Sequence, residues 1–239
     1  MIEWTERTEL LLGRDNMEKL SRSHVLVVGL GGVGAYAAEM ICRAGVGEMT
    51  IVDADAVSVT NKNRQLVALD STIGKNKSDV LTQRLLDINP SLNLHVINAF
   101  IKDSATDELL DSNKFSCTID AIDTLSPKVN LIKGCLERQI PVVSSMGAGA
   151  KTDPTKIEIK DISKSHHCPL AHMLRKRLHK LGIRKGFYTV FSSEPVREGS
   201  MILCEETNKK SNVGTISYMP AIFGCYCASI AIRSIIDEF

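Results

Sequence analysis

The chain has 239 residues and a formal net charge of +1, so it is long enough to bury a sizeable core without disulfides or structural metals. Its hydrophobic fraction of 44% and charged fraction of 24% are ordinary for a globular protein and argue against collagen-like, disordered and multi-span membrane classes. The balanced charge excludes a globally basic nucleic-acid binder but is compatible with a local basic patch.

The first predicted unit is a strand, a glycine-rich turn, a helix and a second strand. Residues 25–28 are a short apolar run that predicts a buried parallel strand, and they lead directly into a glycine-rich turn at 29–34. Helical apolar spacing follows over 35–44, and a second strand over 49–52 ends at Asp53. This order predicts a βαβ unit.

Strands and helices continue to alternate up to residue 149. The predicted strands are 94–99, 117–122 and 141–145, and the predicted helices are 79–88, 106–110 and 127–138. This alternation predicts an α/β fold with a Rossmann-like, doubly wound, mostly parallel sheet that carries helices on both faces.

The pattern changes in the C-terminal third. There we expect strands at 157–162 and 187–192, a basic helix at 170–181, and an apolar segment at 216–239 that ends as a helix. We therefore expect a single domain over 1–239. Its nucleotide-binding core would occupy 1–150, and residues 151–239 would be an elaboration for substrate binding and dimerisation.

Cysteine use and the N-terminal residues indicate a cytoplasmic location. The seven cysteines are odd in number and contain no C-x-x-C pair, which disfavours both a disulfide framework and a structural zinc knuckle. Residues 1–20 lack the apolar core of a signal peptide. The apolar residues 216–232 include Pro220 and Gly224 and are slightly short for a membrane span, so we expect a core or dimer-interface helix and no membrane insertion.

The glycine-rich turn matches a dinucleotide-binding fingerprint. Gly29, Gly31 and Gly34 have the G-x-G-x-x-G spacing, in which glycines let the backbone approach a phosphate and the following helix offers its free N–H groups. Asp53 lies 19 residues after Gly34, where an acidic side chain accepts hydrogen bonds from ribose hydroxyls. A turn used only for close helix–strand packing is the alternative.

The residues after the second strand favour a triphosphate over a nicotinamide. Asn61, Arg64 and Lys77 would surround three or four negative charges, which a nicotinamide does not carry. Asp123 follows the predicted strand at 117–122, at the edge where ligands bind in open parallel sheets. A carboxylate beside a triphosphate most naturally holds Mg²⁺.

These motifs together resemble the ThiF/MoeB superfamily of ATP-dependent adenylating enzymes. The resemblance implies that Arg64, Lys77 and Asp123 are catalytic, that Asp123 is the Mg²⁺ ligand, and that Asp53 binds ribose. The residues implied to bind ATP are Gly29, Gly31, Gly32, Gly34, Asp53, Asp55, Asn61, Arg64, Gln65 and Lys77.

The superfamily also uses an N-terminal arginine that reaches into the neighbouring subunit of a dimer, six residues before a glycine. Arg7 precedes Gly13 by that spacing, and the resemblance implies a catalytic arginine on the α-phosphate within a homodimer. A solvated surface charge is the alternative for Arg7.

Features of the C-terminal third resemble the branch of this superfamily that dehydrates threonylcarbamoyladenosine in tRNA. They include the turn at 147–149 and the segments 153–155, 169–171 and 191–194. The branch closes the threonylcarbamoyl side chain beside the anticodon into a ring, which requires a surface for tRNA. The basic helix supplies Arg175, Arg177 and Lys180 for phosphate contacts, although a solvated helix face is the alternative.

Three other functions remain open from the sequence. The first is adenylation of a ubiquitin-like sulfur-carrier tail, with a sulfur-transfer partner. The absence of paired C-x-x-C motifs disfavours it, and Cys168, which could be a catalytic cysteine, reads more simply as a small buried residue. The others are a nicotinamide oxidoreductase and a nucleotide-binding module without catalysis.

Overall fold

A computed structural model describes residues 3–206 and 209–239, which form a seven-stranded sheet flanked by helices and a separate two-stranded hairpin. The sheet order is β3-β2-β1-β4-β5-β7-β6. Its strands are β1 (His24–Val28), β2 (Glu48–Val52), β3 (Asn93–Ile97), β4 (Cys117–Asp120), β5 (Val142–Ser145), β6 (Ile157–Asp161) and β7 (Tyr188–Ser192). The hairpin is β8 (Met201–Glu206) with β9 (Lys209–Val213).

The sheet is parallel except for β6, which pairs antiparallel with β7 at one edge. Strands β1, β4 and β5 are buried along their whole length, and the burial includes the polar side chains of Thr118, Asp120 and Ser144. The chain builds one side of the sheet through β3 and then returns to place β4 against β1. A topological switch point therefore lies between β1 and β4, and the predicted fold class is confirmed.

Eight α-helices surround the sheet in the described part of the chain. They are α1 (Glu6–Leu12), α2 (Arg14–Ser21), α3 (Gly34–Arg43), α4 (Lys77–Ile88), α5 (Ser104–Ser112), α6 (Leu125–Glu137), α7 (Pro169–Lys180) and α8 (Tyr218–Ile235). Two apolar cores result. One packs α3, α4 and α8 on one face of the sheet, and the other packs α5, α6 and α7 on the opposite face.

Helix α8 belongs to the core despite its apolar composition. Its length and mean hydropathy would suit a membrane span, but Phe223, Cys227 and Ala231 are fully buried in the first of the two cores. Gly224 allows α8 to touch the start of α3, since a Cβ atom there would lie 2.4 Å from the carbonyl oxygen of Val33. The expected core helix at the C-terminus is therefore present.

The structure departs from the sequence expectations in three places. Helices α1 and α2 and the β8–β9 hairpin were not predicted. Strand β4 ends at Asp120, two residues earlier than expected, because the Ile122 amide donates to the Asp120 side chain at 3.1 Å and leaves the ladder. This early exit forms the loop that carries Asp123.

Candidate active site

The glycine-rich turn occupies the carboxyl end of β1, where the backbone packs too closely for side chains. Gly29 has a φ of +89°, and a Cβ atom there would lie 2.8 Å from the carbonyl oxygen of Ala121. A Cβ atom on Gly34 would lie 1.7 Å from the carbonyl oxygen of Gly29. Glycine at both positions therefore brings the start of α3 against β1 and the loop after β4.

Asp53 connects the end of β2 to this turn. One carboxylate oxygen accepts from the Leu30 amide at 2.6 Å, and the other accepts from the Asp55 amide at 2.8 Å. The carboxylate is thereby fixed between the first two strands, at the position expected for contact with a ribose.

Lys77 enters the site from the first turn of α4. Its side chain is only 6% exposed, and its ammonium forms an ion pair with Asp55 at 2.7 Å. Asp55 is 70% exposed, so the pair has one buried and one solvated member. A lysine with a buried stem and a solvated carboxylate partner is suited to release that carboxylate and bind a phosphate in its place.

Asn61 and Arg64 lie on the loop that faces the turn. The Asn61 side-chain oxygen accepts from the Ser58 amide at 3.1 Å and so shapes the loop itself. The Arg64 guanidinium donates to the Thr60 carbonyl at 3.0 Å, and its Cγ lies 3.4 Å from where a Gly32 Cβ would be. The stem of the Arg64 side chain thus packs on the turn, and its phosphate role stays a prediction.

Gln65 is buried beside the turn with an unsatisfied acceptor. Its side-chain oxygen has no hydrogen-bond partner among the described residues. Its side-chain nitrogen lies 3.7 Å from where a Cβ atom on Gly31 would be. Buried amide oxygens normally find a donor, so this atom fits a site that a ligand completes.

A buried ion pair holds the loop after β4. Asp120 and Lys128 are both fully buried, and their charged atoms lie 2.8 Å apart. The Lys128 ammonium also donates to the Ile122 carbonyl at 2.9 Å, and Ser144 donates to Asp120 at 2.6 Å. These contacts fix the loop on which Asp123 is exposed. Sequence reasoning missed Lys128, whose only signal was a cation among the apolar residues of a predicted helix.

Lys151, beyond the carboxyl end of β5, was also missed. It is 2% exposed, and its ammonium has no hydrogen-bond partner among the described residues. Burial lowers its pKa, while the nearby Cys168 and Glu194 oppose that shift. An ammonium in these surroundings favours an anionic neighbour.

Arg7 lies on the side of the sheet where the parallel strands begin, whereas the glycine-rich turn lies where they end. It is exposed on α1, which follows Thr5 and packs on α2. A Cβ atom on Gly45, in the turn before β2, would lie 3.1 Å from the Met17 side chain and 3.6 Å from the Thr5 side chain, so both residues pack against that turn. The structure therefore does not bring Arg7 together with Arg64 and Lys77 within one chain.

The three predicted tRNA contacts differ in their surroundings. Arg177 and Lys180 are exposed on α7, whereas Arg175 is partly buried and donates to the Ser165 carbonyl at 2.7 Å. Arg175 thus anchors the loop before α7. Cys168 is buried at the N-cap of the same helix, in agreement with the simpler reading of that residue.

Comparisons with known proteins agree on one family. The ThiF family model matches residues 6–238. The tRNA threonylcarbamoyladenosine dehydratase of Bacillus subtilis is 45% identical, over 81% of this chain and 76% of that protein. The enzyme of the same name from Escherichia coli is 35% identical, over 98% of this chain and 95% of that protein.

A solved structure extends the similarity to the whole fold. The crystal structure of the Escherichia coli dehydratase in complex with ATP matches with a TM-score of 0.90 and 33% identity, over 100% of this chain and 97% of that one. The molybdopterin-synthase adenylyltransferase of Escherichia coli is 31% identical, but over only 64% of this chain and 61% of that protein.

The Asp120–Lys128 pair predicts an asymmetric response to mutation. Lys128→Met should lower the free energy of unfolding by about 3–5 kcal/mol, because it leaves a buried carboxylate without its counter-charge. Adding Asp120→Asn should recover part of that loss. Lys133→Met, at an exposed position of the same helix, should change stability by no more than about 0.5 kcal/mol. Chemical denaturation measures all four proteins, and equal stability of the two lysine variants would contradict the assignment.

Proposed function

The chain belongs to the ThiF family, and we propose that it uses ATP to dehydrate threonylcarbamoyladenosine in tRNA, beside the anticodon, to its cyclic form. The observation that carries the proposal is the grouping of Arg64 and Lys77 around one glycine-rich turn, in a fold that matches an ATP-bound dehydratase over its full length. The unsatisfied Gln65 oxygen supports a bound nucleotide at the same place.

The proposed chemistry begins with activation of the substrate carboxylate. A carboxylate oxygen attacks the α-phosphorus of ATP, a P–O bond forms, and pyrophosphate leaves. Arg64 and Lys77 would stabilise the negative charge that develops on the phosphates, and the N–H groups at the start of α3 would bind it from the turn. Asp53 would hold the ribose and so orient the α-phosphate.

Ring closure then consumes the acyl-adenylate. A nitrogen of the carbamoyl group attacks the activated carbonyl carbon, loses its proton, and expels AMP. The oxygen lost from the carboxylate leaves in AMP, so ATP hydrolysis and dehydration are coupled. This sequence requires no protein nucleophile, which agrees with a buried Cys168.

Asp123 and Asp55 are the residues we expect to meet Mg²⁺. Both are exposed carboxylates beyond the carboxyl ends of β2 and β4, the strands on either side of β1, and oxygen ligands of this kind suit a hard cation. Bound there, Mg²⁺ would neutralise phosphate charge. Lys77, released from its ion pair with Asp55, would then contact phosphate.

We propose a homodimer in which Arg7 acts on the partner's nucleotide. Leu10 and Leu11 on α1 are 81% and 82% exposed, an apolar pair that a protein contact would cover. Arg7 lies on the same helix, on the side of the sheet away from the nucleotide site of its own chain. A symmetric dimer through α1 would cover the two leucines and would also bring Arg7 to the partner's nucleotide site.

The exposed cations on and after α7 are the proposed tRNA surface. Arg177 and Lys180 are joined there by Lys176, Arg184 and Lys185, all exposed. Their charge lies in the C-terminal third, apart from the cations of the nucleotide site. We accordingly propose nucleotide binding by residues 1–150, tRNA binding by residues 151–239, and a cytoplasmic location. The proposed dimer contact through α1 lies in the first part of the chain, not in 151–239, where the sequence led us to expect dimerisation.

Adenylation of a ubiquitin-like sulfur-carrier tail is the second candidate, and a sulfur-transfer partner would belong to it. The similarity to a molybdopterin-synthase adenylyltransferase, 31% identical over 64% of this chain, supports it. That match covers 64% of this chain, whereas the match to the Escherichia coli dehydratase covers 98%.

Nucleoside analysis after reaction tests the function directly. With threonylcarbamoyladenosine-containing tRNA, ATP and Mg²⁺, we expect AMP, pyrophosphate and a tRNA nucleoside lighter by one water. Arg64→Ala should reduce the rate by orders of magnitude, because a charged transition-state contact is worth several kcal/mol. ADP and phosphate as main products, or an unchanged nucleoside, would overturn the proposal.

Subunit mixing tests the shared site. Arg7→Ala and Arg64→Ala proteins, each nearly inactive alone, should recover up to about a quarter of normal activity when mixed equally, since half of the dimers contain one intact site of two. Mass spectrometry of differently tagged subunits confirms that they have exchanged. Exchange without recovery would show that Arg7 does not act across the interface.

The salt dependence of tRNA binding tests the basic surface. Changing Arg177 and Lys180 to Ala should weaken binding and flatten the plot of log affinity against log salt by somewhat under one unit per lost phosphate contact. ATP affinity should be unchanged. Lys114→Ala, an exposed position away from α7, is the matched control. An unchanged slope in the double variant would place the tRNA surface elsewhere.

A further inference from the structure

Two histidines and a glutamate lie close together near the amino ends of three strands, whereas the nucleotide site lies at the carboxyl ends of the strands. His24 begins β1 and pairs in register with Glu48 of β2, and Glu48 pairs with Asn93 of β3. His95 lies two residues after Asn93, so strand pleating returns its side chain to the same face. The register alone therefore groups His24, Glu48 and His95.

The side chains converge to coordination distance. One potential ligand atom from each of the three residues lies within 4.8 Å of the other two. His95 Nε2 is 2.7 Å from Glu48 Oε1, and His24 Nδ1 is 3.5 Å from the same oxygen, too long for a strong hydrogen bond. A cation at about 2 Å from each ligand atom would fit such separations with small side-chain movements.

The surroundings prepare His24 as a ligand. Burial lowers the pKa of His24, the nearby Glu48 opposes that shift, and the nearby His95 adds to it. The His24 Nε2 lies 2.8 Å from the Thr50 hydroxyl. The tautomer that donates this proton to Thr50 presents the Nδ1 lone pair to the carboxylate, an arrangement typical of metal-bound histidine.

The rest of the cluster supplies orientation and access. The Asn93 amide donates to Glu48 Oε1 at 3.0 Å and so orients the carboxylate. The Phe115 ring packs edge-on against His24, with centroids 4.6 Å apart, and closes the apolar side. The His95 side chain is 43% exposed, which leaves an entry path and a position for water as a fourth ligand.

We propose that His24, Glu48 and His95 bind a divalent transition-metal cation, with Zn²⁺ as the best match. Two imidazoles and a carboxylate are the ligand set of borderline cations and not of Mg²⁺, which prefers oxygen ligands. The cation would tie the starts of β1, β2 and β3 together. The site shares no residue with the nucleotide site, so it stands or falls independently of the proposed function.

Cobalt substitution gives the sharpest test. Co²⁺ titrated into the chelator-treated full chain should bind at one equivalent and give the strong visible absorption of a tetrahedral site, without a thiolate-to-cobalt charge-transfer band. His95→Ala and Glu48→Gln should each weaken binding at least about tenfold, since even outer-shell changes cost that much. His172→Ala, an exposed histidine on α7, should bind like the unchanged chain.

Competition and thermal unfolding complete the test. Zn²⁺ should displace Co²⁺ and raise the melting temperature of the unchanged chain, and it should raise that of His95→Ala less. Circular dichroism establishes that each variant is folded. A charge-transfer band would assign binding to cysteine, weak octahedral absorption would assign it to carboxylates alone, and equal affinity in His95→Ala would exclude this cluster. Each of these three results overturns the proposal.

Discussion

The close backbone packing at the glycine-rich turn is the constraint on which the rest of the site depends. The Gly29 carbonyl and the Gly34 Cα approach so closely that no side chain fits between them, and Gly29 itself meets the backbone of Ala121. Strand β1, the start of α3 and the loop after β4 are therefore held within one small volume. Arg64 and Gln65 pack on this turn, and Asp53 accepts a hydrogen bond from its Leu30 amide.

The second determinant is charge placed where water cannot reach. The fully buried Asp120–Lys128 pair fixes the loop after β4, whereas the ion pair of Lys77 with Asp55 stays partly solvated. The two pairs have different physical consequences. A fully desolvated pair is costly to separate and so gives a rigid support, whereas a half-exposed pair can exchange its carboxylate for another anion.

The sequence was sufficient to predict the central sheet and the glycine-rich turn, for identifiable reasons. Buried parallel strands are rich in apolar residues, and the glycine spacing marks a turn whose geometry glycine alone permits. Helices α1 and α2 have only 7 and 8 residues, too few for a helical apolar pattern to stand out, so they were missed. Lys128 and Lys151 were missed because their importance comes from burial, which depends on residues distant in the chain. The cluster around Glu48 was missed because its members are joined by strand register and not by spacing.

The contact between α8 and the glycine-rich turn has a consequence for synthesis of the chain. A Cβ atom on Gly32 would lie 2.9 Å from the Pro220 side chain, and Gly224 touches the Val33 carbonyl, so the last helix forms one wall of the turn. Residues near the C-terminus thus complete a site whose proposed phosphate-binding groups all lie before residue 130. During translation the nucleotide site can close only after α8 has left the ribosome. The division at residue 150 therefore separates roles and not independently folding halves, and a fragment ending there would display the whole motif set without its supporting wall.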